Sequence, residues 1–315
     1  MKISQRFSLD VDQRGLEFVD IDTDKDIKLY IDPCWIHLGE GQWYRDASST
    51  LIGFFDYIIE LYENEKMDKA RELFDFAHEP NETCFGVSKN RPQGTGASEE
   101  MLSELFETVL QGDLIDLGFI ERLEDMKIFV ENFGPDRLSD LVTNIIRKHL
   151  SDFTIEQCRI HGIPLEKEPE IIGSYWNNEE RCWEDWIDYA LKVDGKIRLL
   201  VPKKIAVKSY KYTATEYCTH HVLVRRQEEH LKENSGLVIR RKDGTPKVTK
   251  VSIRKKEIKS EGLNEKKYVL NMSYDYPELI EQFRASIPKV LKDPVRTNKL
   301  TDEELMDLHV ENAET

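Results

Sequence analysis

The chain is expected to be a helix-rich α+β protein. Three observations point there. Apolar residues recur at helical spacing over 49–76 and again from Leu138 to Phe153. Short apolar or alternating runs near the start and after residue 166 have strand character. Two Asp-Gly pairs, 194–195 and 243–244, supply the dipeptide that favours a tight hairpin turn. With 39% hydrophobic residues in 315, the chain has enough apolar surface for a sizeable core and is not a disordered tail.

Residues 1–36 read as β. Leu16–Val19 and Ile27–Ile31 are the candidate strands, joined by an acidic link of Asp20, Asp22, Asp24 and Asp26. Counted as a calcium loop from Asp20, position 6 is Lys25 where glycine is needed, and position 12 is Ile31 where a bidentate glutamate is needed. A solvated hairpin connection is therefore expected. A long helix follows from Ser49 to about Phe76. Gly86 to Ser98 reads as a basic loop, with Lys89 and Arg91 as residues that would contact phosphate. It lacks the Walker pattern, and Glu99 and Glu100 already occupy the first turn of the next helix. Helices are expected at 101–110 and 121–133.

The local signals agree best over 133–164. Gly134-Pro135 opens a helix, and an apolar stripe runs to Leu150 and Phe153. Thr154 and Gln157 then have the spacing of a capping box for a second turn or helix, and Gly162-Ile163-Pro164 stops it. Asp136, Asp140 and Asn144 line the opposite face, with Arg147 close by. His149 falls on the apolar stripe, where a satisfied core histidine is expected. A charged, proline-containing link at 166–170 suggests two parts. Residues 1–165 would be an acidic, mostly helical domain, and 166–315 a basic α+β region with an acidic tail. Within the second part, 186–193 and 196–201 read as a hairpin about Asp194-Gly195. Thr213 to Glu233 reads as a helix with a Thr213/Glu216 capping box and a stop at Asn234–Gly236. The tail after Asp302 is expected to fray.

Composition also bounds the setting. No run of eighteen apolar residues exists, so no membrane insertion is expected. The first fifteen residues lack an apolar signal-peptide core. Five cysteines at scattered spacings argue for a reducing, cytoplasmic compartment. Charge is unevenly spread. Residues 196–260 hold 18 Lys and Arg against 6 Asp and Glu, a balance of +12, which leaves −27 for the rest of a chain whose net charge is −15. Such asymmetry bears on partners. It fits either a nucleic-acid face or a surface docked on the acidic part.

Three constellations carry candidate chemistry. The basic segment is the first. Lys203, Lys204, Arg240, Arg241, Lys242, Arg254 and Lys255 are its leading phosphate contacts, interleaved with Tyr210, Tyr212 and Tyr217 for base stacking. The second is acidic. Asp136, Asp140 and Glu156 are candidate catalytic carboxylates, with Asp136 and Asp140 as Mg²⁺ ligands. Pro135-Asp136 with Asp194-Gly195-Lys196 resembles the PD-(D/E)xK nuclease motif in its letters. It departs from that motif in placement, because the acid starts a helix and the triplet sits in a turn. The third is Cys34/His37, Cys158/His161 and Cys218/His221, which have ligand-like spacing. Buried thiols are the expectation there, and zinc is not expected.

The stretches GPDRLSDLVTNII, VDGKIRLLVPKKI and KDGTPKVTK together resemble bacterial proteins of the kind found with antiviral defence genes. That resemblance implies a bacterial cytosolic protein that acts on or senses nucleic acid. The first expectation is thus a nucleic-acid-binding defence protein, with Mg²⁺-dependent nuclease activity as its enzymatic form. The second is a non-enzymatic adaptor subunit that docks on a partner protein of a defence complex.

Overall fold

A computed structural model describes residues 1–74, 80–86 and 113–311. The fold is helix-rich α+β, as expected. Among the described residues, every sheet is a two-stranded antiparallel pair. The chain forms two compact units. The first takes the described residues within 1–110, 134–210 and 298–315, and the second those within 111–133 and 211–297. Residues 165 and 166, where composition suggested a division, both lie in the first unit. The expected helix at 101–110, the loop carrying Lys89 and Arg91, and residues 75–76 lie outside the described residues.

The first unit is centred on the helix Gln42–Glu63, which begins seven residues earlier than expected and ends where Glu65 takes a positive φ of 57°. Its apolar face buries Leu51, Phe54, Phe55, Ile58 and Leu61. Against it packs the hairpin of Glu170–Asn177 and Cys182–Asp188. Trp176 and Trp183 of that hairpin meet Phe54 edge-on at 5.0 and 5.6 Å, and the Trp183 indole donates to Leu73 O at 2.9 Å. Gly53 allows this approach, since a Cβ there would sit 2.0 Å from Asn178 Oδ1.

The 133–164 stretch holds two helices, Pro135–Ile145 and Arg147–His161, which meet at a turn on Ile146. Thr154 therefore lies inside the second helix and caps nothing. Its hydroxyl donates back to Leu150 O at 2.7 Å and accepts from Leu200 N at 2.9 Å. The polar line beside the apolar stripe is not a solvated face throughout. Asn144 and Arg147 are buried. Arg147 pairs with Glu82 at 3.1 Å, donates to Ser174 O at 2.9 Å and bonds the Asn144 side chain.

Residues 16–31 do not form the expected hairpin. Phe18 bridges to Pro202, Ile27 to Phe85, and Tyr30–Ile31 pairs with Ala206–Val207. Each apolar run finds a partner far along the chain, so the acidic link is not a hairpin connection. Within it Asp20 is buried and accepts from Ser4 N at 2.9 Å. The Asp194-Gly195 hairpin does form, between Leu191–Val193 and Lys196–Arg198. Both turn residues have positive φ, 52° and 75°, as a type I′ turn requires. The acidic tail is helical from its start. Asp302–Glu311 is a helix that buries Leu305 and Leu308, and Asp302 accepts from Lys203 at 2.9 Å.

The second unit is built on a buried ion pair. Asp125 is fully buried and meets Arg284 at 2.8 Å, while the Tyr212 hydroxyl donates to the same carboxylate. Arg284 also donates to Gly118 O and Phe119 O at 3.0 and 2.9 Å. This pull shapes the segment expected to be one helix at 121–133. It has only a 3₁₀ turn at Leu123–Asp125 and a short helix Met126–Phe129. The helix from Thr213 is present. It runs Ala214–Tyr217, widens into a π turn over Cys218–Val222, and continues as Leu223–Lys232. Thr213 caps it through Glu216 N at 3.2 Å, and Asn234 ends it with φ 48°.

Candidate nucleic-acid interface

The basic segment reaches the surface of the second unit as a short hairpin, Ile239–Arg240 paired with Pro246–Lys247. Its turn is locally determined. Arg241 N and Gly244 N donate to Thr245 O and Arg241 O, each at 2.9 Å, and Asp243 accepts from Thr245 N at 2.9 Å. Gly244 supplies the positive φ of 83°. All four strand residues are exposed, and Ile239 is 55% exposed. A two-stranded hairpin that buries neither face gains little from packing.

The chain then turns inward at Val248. Thr249 caps the helix Lys250–Ile253, accepting from Ser252 N at 3.0 Å. A second π turn continues it over Arg254–Lys259. The inward residues here, Ile253 and Ile258, are five apart, as the wider turn demands. Lys255, Lys256 and Lys259 are left facing solvent. With Arg240, Arg241, Lys242 and Lys247 they make seven exposed cations, and none forms an ion pair with a carboxylate among the described residues.

Other expected contacts are already engaged. Lys203 pairs with Asp302 at 2.9 Å and Lys204 with Glu17 at 3.7 Å. Arg254 pairs with Glu265 and donates to the Thr219 hydroxyl. Lys89 and Arg91 lie outside the described residues. The three tyrosines expected to stack on bases are core residues. Tyr210 donates to Ile31 O at 2.9 Å, Tyr212 to Asp125, and Tyr217 shares a hydrogen bond with Ser273 at 2.9 Å. Sequence pattern could not separate these tyrosines from a stacking platform, because their partners are remote in the chain.

The acidic candidates are distributed over two helices. Asp136 is exposed in the first turn of Pro135–Ile145, where a carboxylate offsets the helix dipole, and Asp140 is half-buried one turn on. Glu156 is exposed on Arg147–His161 and pairs with Arg159 at 2.8 Å, which holds its carboxyl below the usual range. Among the described residues no group of three or more His, Cys, Asp or Glu is arranged to hold a metal ion, so these three are not brought to one such site. Asp194 of the turn triplet is held by Arg6, with one bond at 2.9 Å.

Burial pushes the Cys158 thiol up to about 12 and the Cys218 thiol up to about 11, which keeps both protonated at neutral pH. His37 meets the Ser48 hydroxyl at 2.7 Å, and His161 stands edge-on to Phe18 at 5.9 Å. His149 is satisfied, as expected. The Thr50 hydroxyl lies 2.8 Å from its Nε2 and 3.0 Å from Asp46 O. Burial lowers the His149 pKa, which favours the neutral imidazole.

No helix among the described residues is long and apolar enough to cross a membrane. Comparison with curated proteins and with solved structures gives no match. Residues 8–213, about two-thirds of the chain, match a domain of unknown function, DUF8370, and the chain belongs to that family.

Proposed function

We propose that this protein binds nucleic acid through phosphate contacts made by the 239–247 hairpin and the 250–259 helix. The observation that carries the reading is the hairpin itself. It exposes every strand residue, buries no apolar face and carries four cations without carboxylate partners among the described residues. A polyanion supplies both the counter-charge and the surface that such an element lacks. No aromatic residue lies in the 239–247 hairpin or the 250–259 helix, so contacts are to phosphate and carry little base preference. The interface lies beyond residue 213, where the family match ends. A bacterial antiviral setting follows from the sequence resemblance and is part of the proposal.

The test is fluorescence anisotropy with labelled single- and double-stranded oligonucleotides, for the wild type and for Arg240→Ala/Arg241→Ala/Lys242→Ala. Wild-type binding that weakens with salt and is lost similarly for all sequences in the variant supports the proposal. Wild-type protein that binds neither oligonucleotide at low salt sinks it.

One observation favours the adaptor reading as the second. Ile171 and Ile187 are cross-strand neighbours in the first unit's hairpin, and they are 57% and 58% exposed, with Tyr189 also exposed. An exposed apolar cross-strand pair is suited to burial against a protein partner.

A further inference from the structure

The second unit contains a cavity of about 270 Å³ that neither reading uses. Phe283, Ile287 and Val290 form its apolar floor, and all three are buried. Around it stand Lys211, Lys289 and Arg296, with His220 and His221 alongside. The one carboxylate in the lining is Glu216, 3.4 Å from His220 Nε2. None of the three permanent cations forms an ion pair among the described residues. Three positive charges against one negative leave an excess of +2, which matches a dianion better than a singly charged carboxylate.

The local backbone is specialised at the same place. His220 and His221 sit in the π turn Cys218–Val222, which brings two consecutive side chains to one cavity. Such single turns are rare and occur often at functional sites. His221 is oriented by the Ser286 hydroxyl at 3.4 Å and by Phe283, edge-on at 5.4 Å. Burial is the largest cause lowering both histidine pKa values. Arg296 and Lys250 add to it for both, and Lys211 for His220, so all these cations converge on the pair.

We propose that this cavity binds a phosphomonoester dianion borne on a compact ring-bearing body, with a nucleoside 5′-monophosphate as its representative ligand. Arg296 offers a planar fork and the two lysines offer point charges to the phosphate oxygens. The apolar floor takes the ring system. Either a free nucleotide or the 5′-phosphorylated end of a strand presents this chemistry. The site stands apart from the hairpin reading, since a free nucleotide needs no polyanion contacts.

The test is calorimetric titration of the full chain with adenosine 5′-monophosphate, and with adenosine as the uncharged control. The monophosphate binds and adenosine does not. Arg296→Ala and Lys289→Glu, both at exposed positions, each weaken binding by about 10- to 100-fold, the loss typical of a hydrogen bond to a charged group. Unchanged melting temperatures show that both variants fold. Monophosphate binding that both variants leave untouched, or a wild type that does not distinguish monophosphate from adenosine, overturns the proposal. Oligonucleotides with and without a 5′-phosphate separate the two sources. A gain from the phosphate in wild type that Arg296→Ala abolishes assigns the strand end, whereas no gain, with monophosphate binding retained, assigns the free nucleotide. Binding of the 5′-hydroxyl oligonucleotide reports on the hairpin alone, so failure of one reading leaves the other standing.

Discussion

Glu257 is the residue on which the basic helix of the second unit depends. Burial alone would raise its carboxyl pKa. Hydrogen bonds from Arg226 at 2.8 and 3.0 Å, Tyr268 at 2.6 Å and His230 at 2.7 Å outweigh that and hold it down to about 2. A carboxyl depressed in the folded state contributes stability that is full above its unfolded value near 4.5 and fades as pH falls towards 2. Glu257→Gln keeps the shape and removes the charge. It should lose about 1–3 kcal/mol at pH 7, and its deficit against wild type should shrink as pH falls through that window. Urea unfolding of both proteins at several pH values checks this, and a deficit that stays constant from pH 7 to pH 2.5 contradicts the assignment. In the sequence Glu257 is one acid within a run of lysines and looks like surface. Its partners lie 27 and 31 residues upstream and 11 downstream, beyond what local pattern reports.

Elements fixed by neighbouring residues are the ones legible from sequence. The Asp194-Gly195 and Asp243-Gly244 turns, the Thr213 cap and the Gly134-Pro135 helix start each depend on residues within a few positions, and each is present. Strand partners at 16–31 were not legible, because Phe18 and Ile31 pair with residues about 180 positions away. Thr154 shows the same limit inside a helix. It has the composition of a cap, yet it serves as the acceptor that ties the Arg147–His161 helix to the strand exit at Leu200. Thr154→Val preserves volume and branching but leaves the buried Leu200 N–H without that acceptor. It should cost about 1–3 kcal/mol in denaturant unfolding with unchanged m, whereas Thr154→Ser should cost less because the hydroxyl remains. Equal losses for the two variants would assign the effect to packing instead.

At the scale of the whole chain, the question is what the uneven charge is for. A net −15 repels nucleic acid in general, so the proposed binding requires a local cationic face. Lys203, Lys204, Arg226 and Arg254 are spent on carboxylates within their own units, whereas the seven exposed cations of 240–259 form no ion pair among the described residues. Full engagement of seven phosphates would give a log–log salt slope of about −6 on duplex and about −5 on single strands. Removing Arg240, Arg241 and Lys242 should flatten it by about 2.7 and 2.1 respectively. Melting should change little, since exposed charges contribute about 0–1 kcal/mol each. The adaptor reading predicts a different pattern. Ile171→Ser/Ile187→Ser should then abolish capture of a protein partner while the monomer melts as before, and the triple cation variant should leave that capture intact. If the cation variant instead melts several degrees early and the wild type shows no salt-dependent binding, the basic face serves the fold. The hairpin's exposure argues against that outcome, because its four cations form no ion pair with a carboxylate among the described residues.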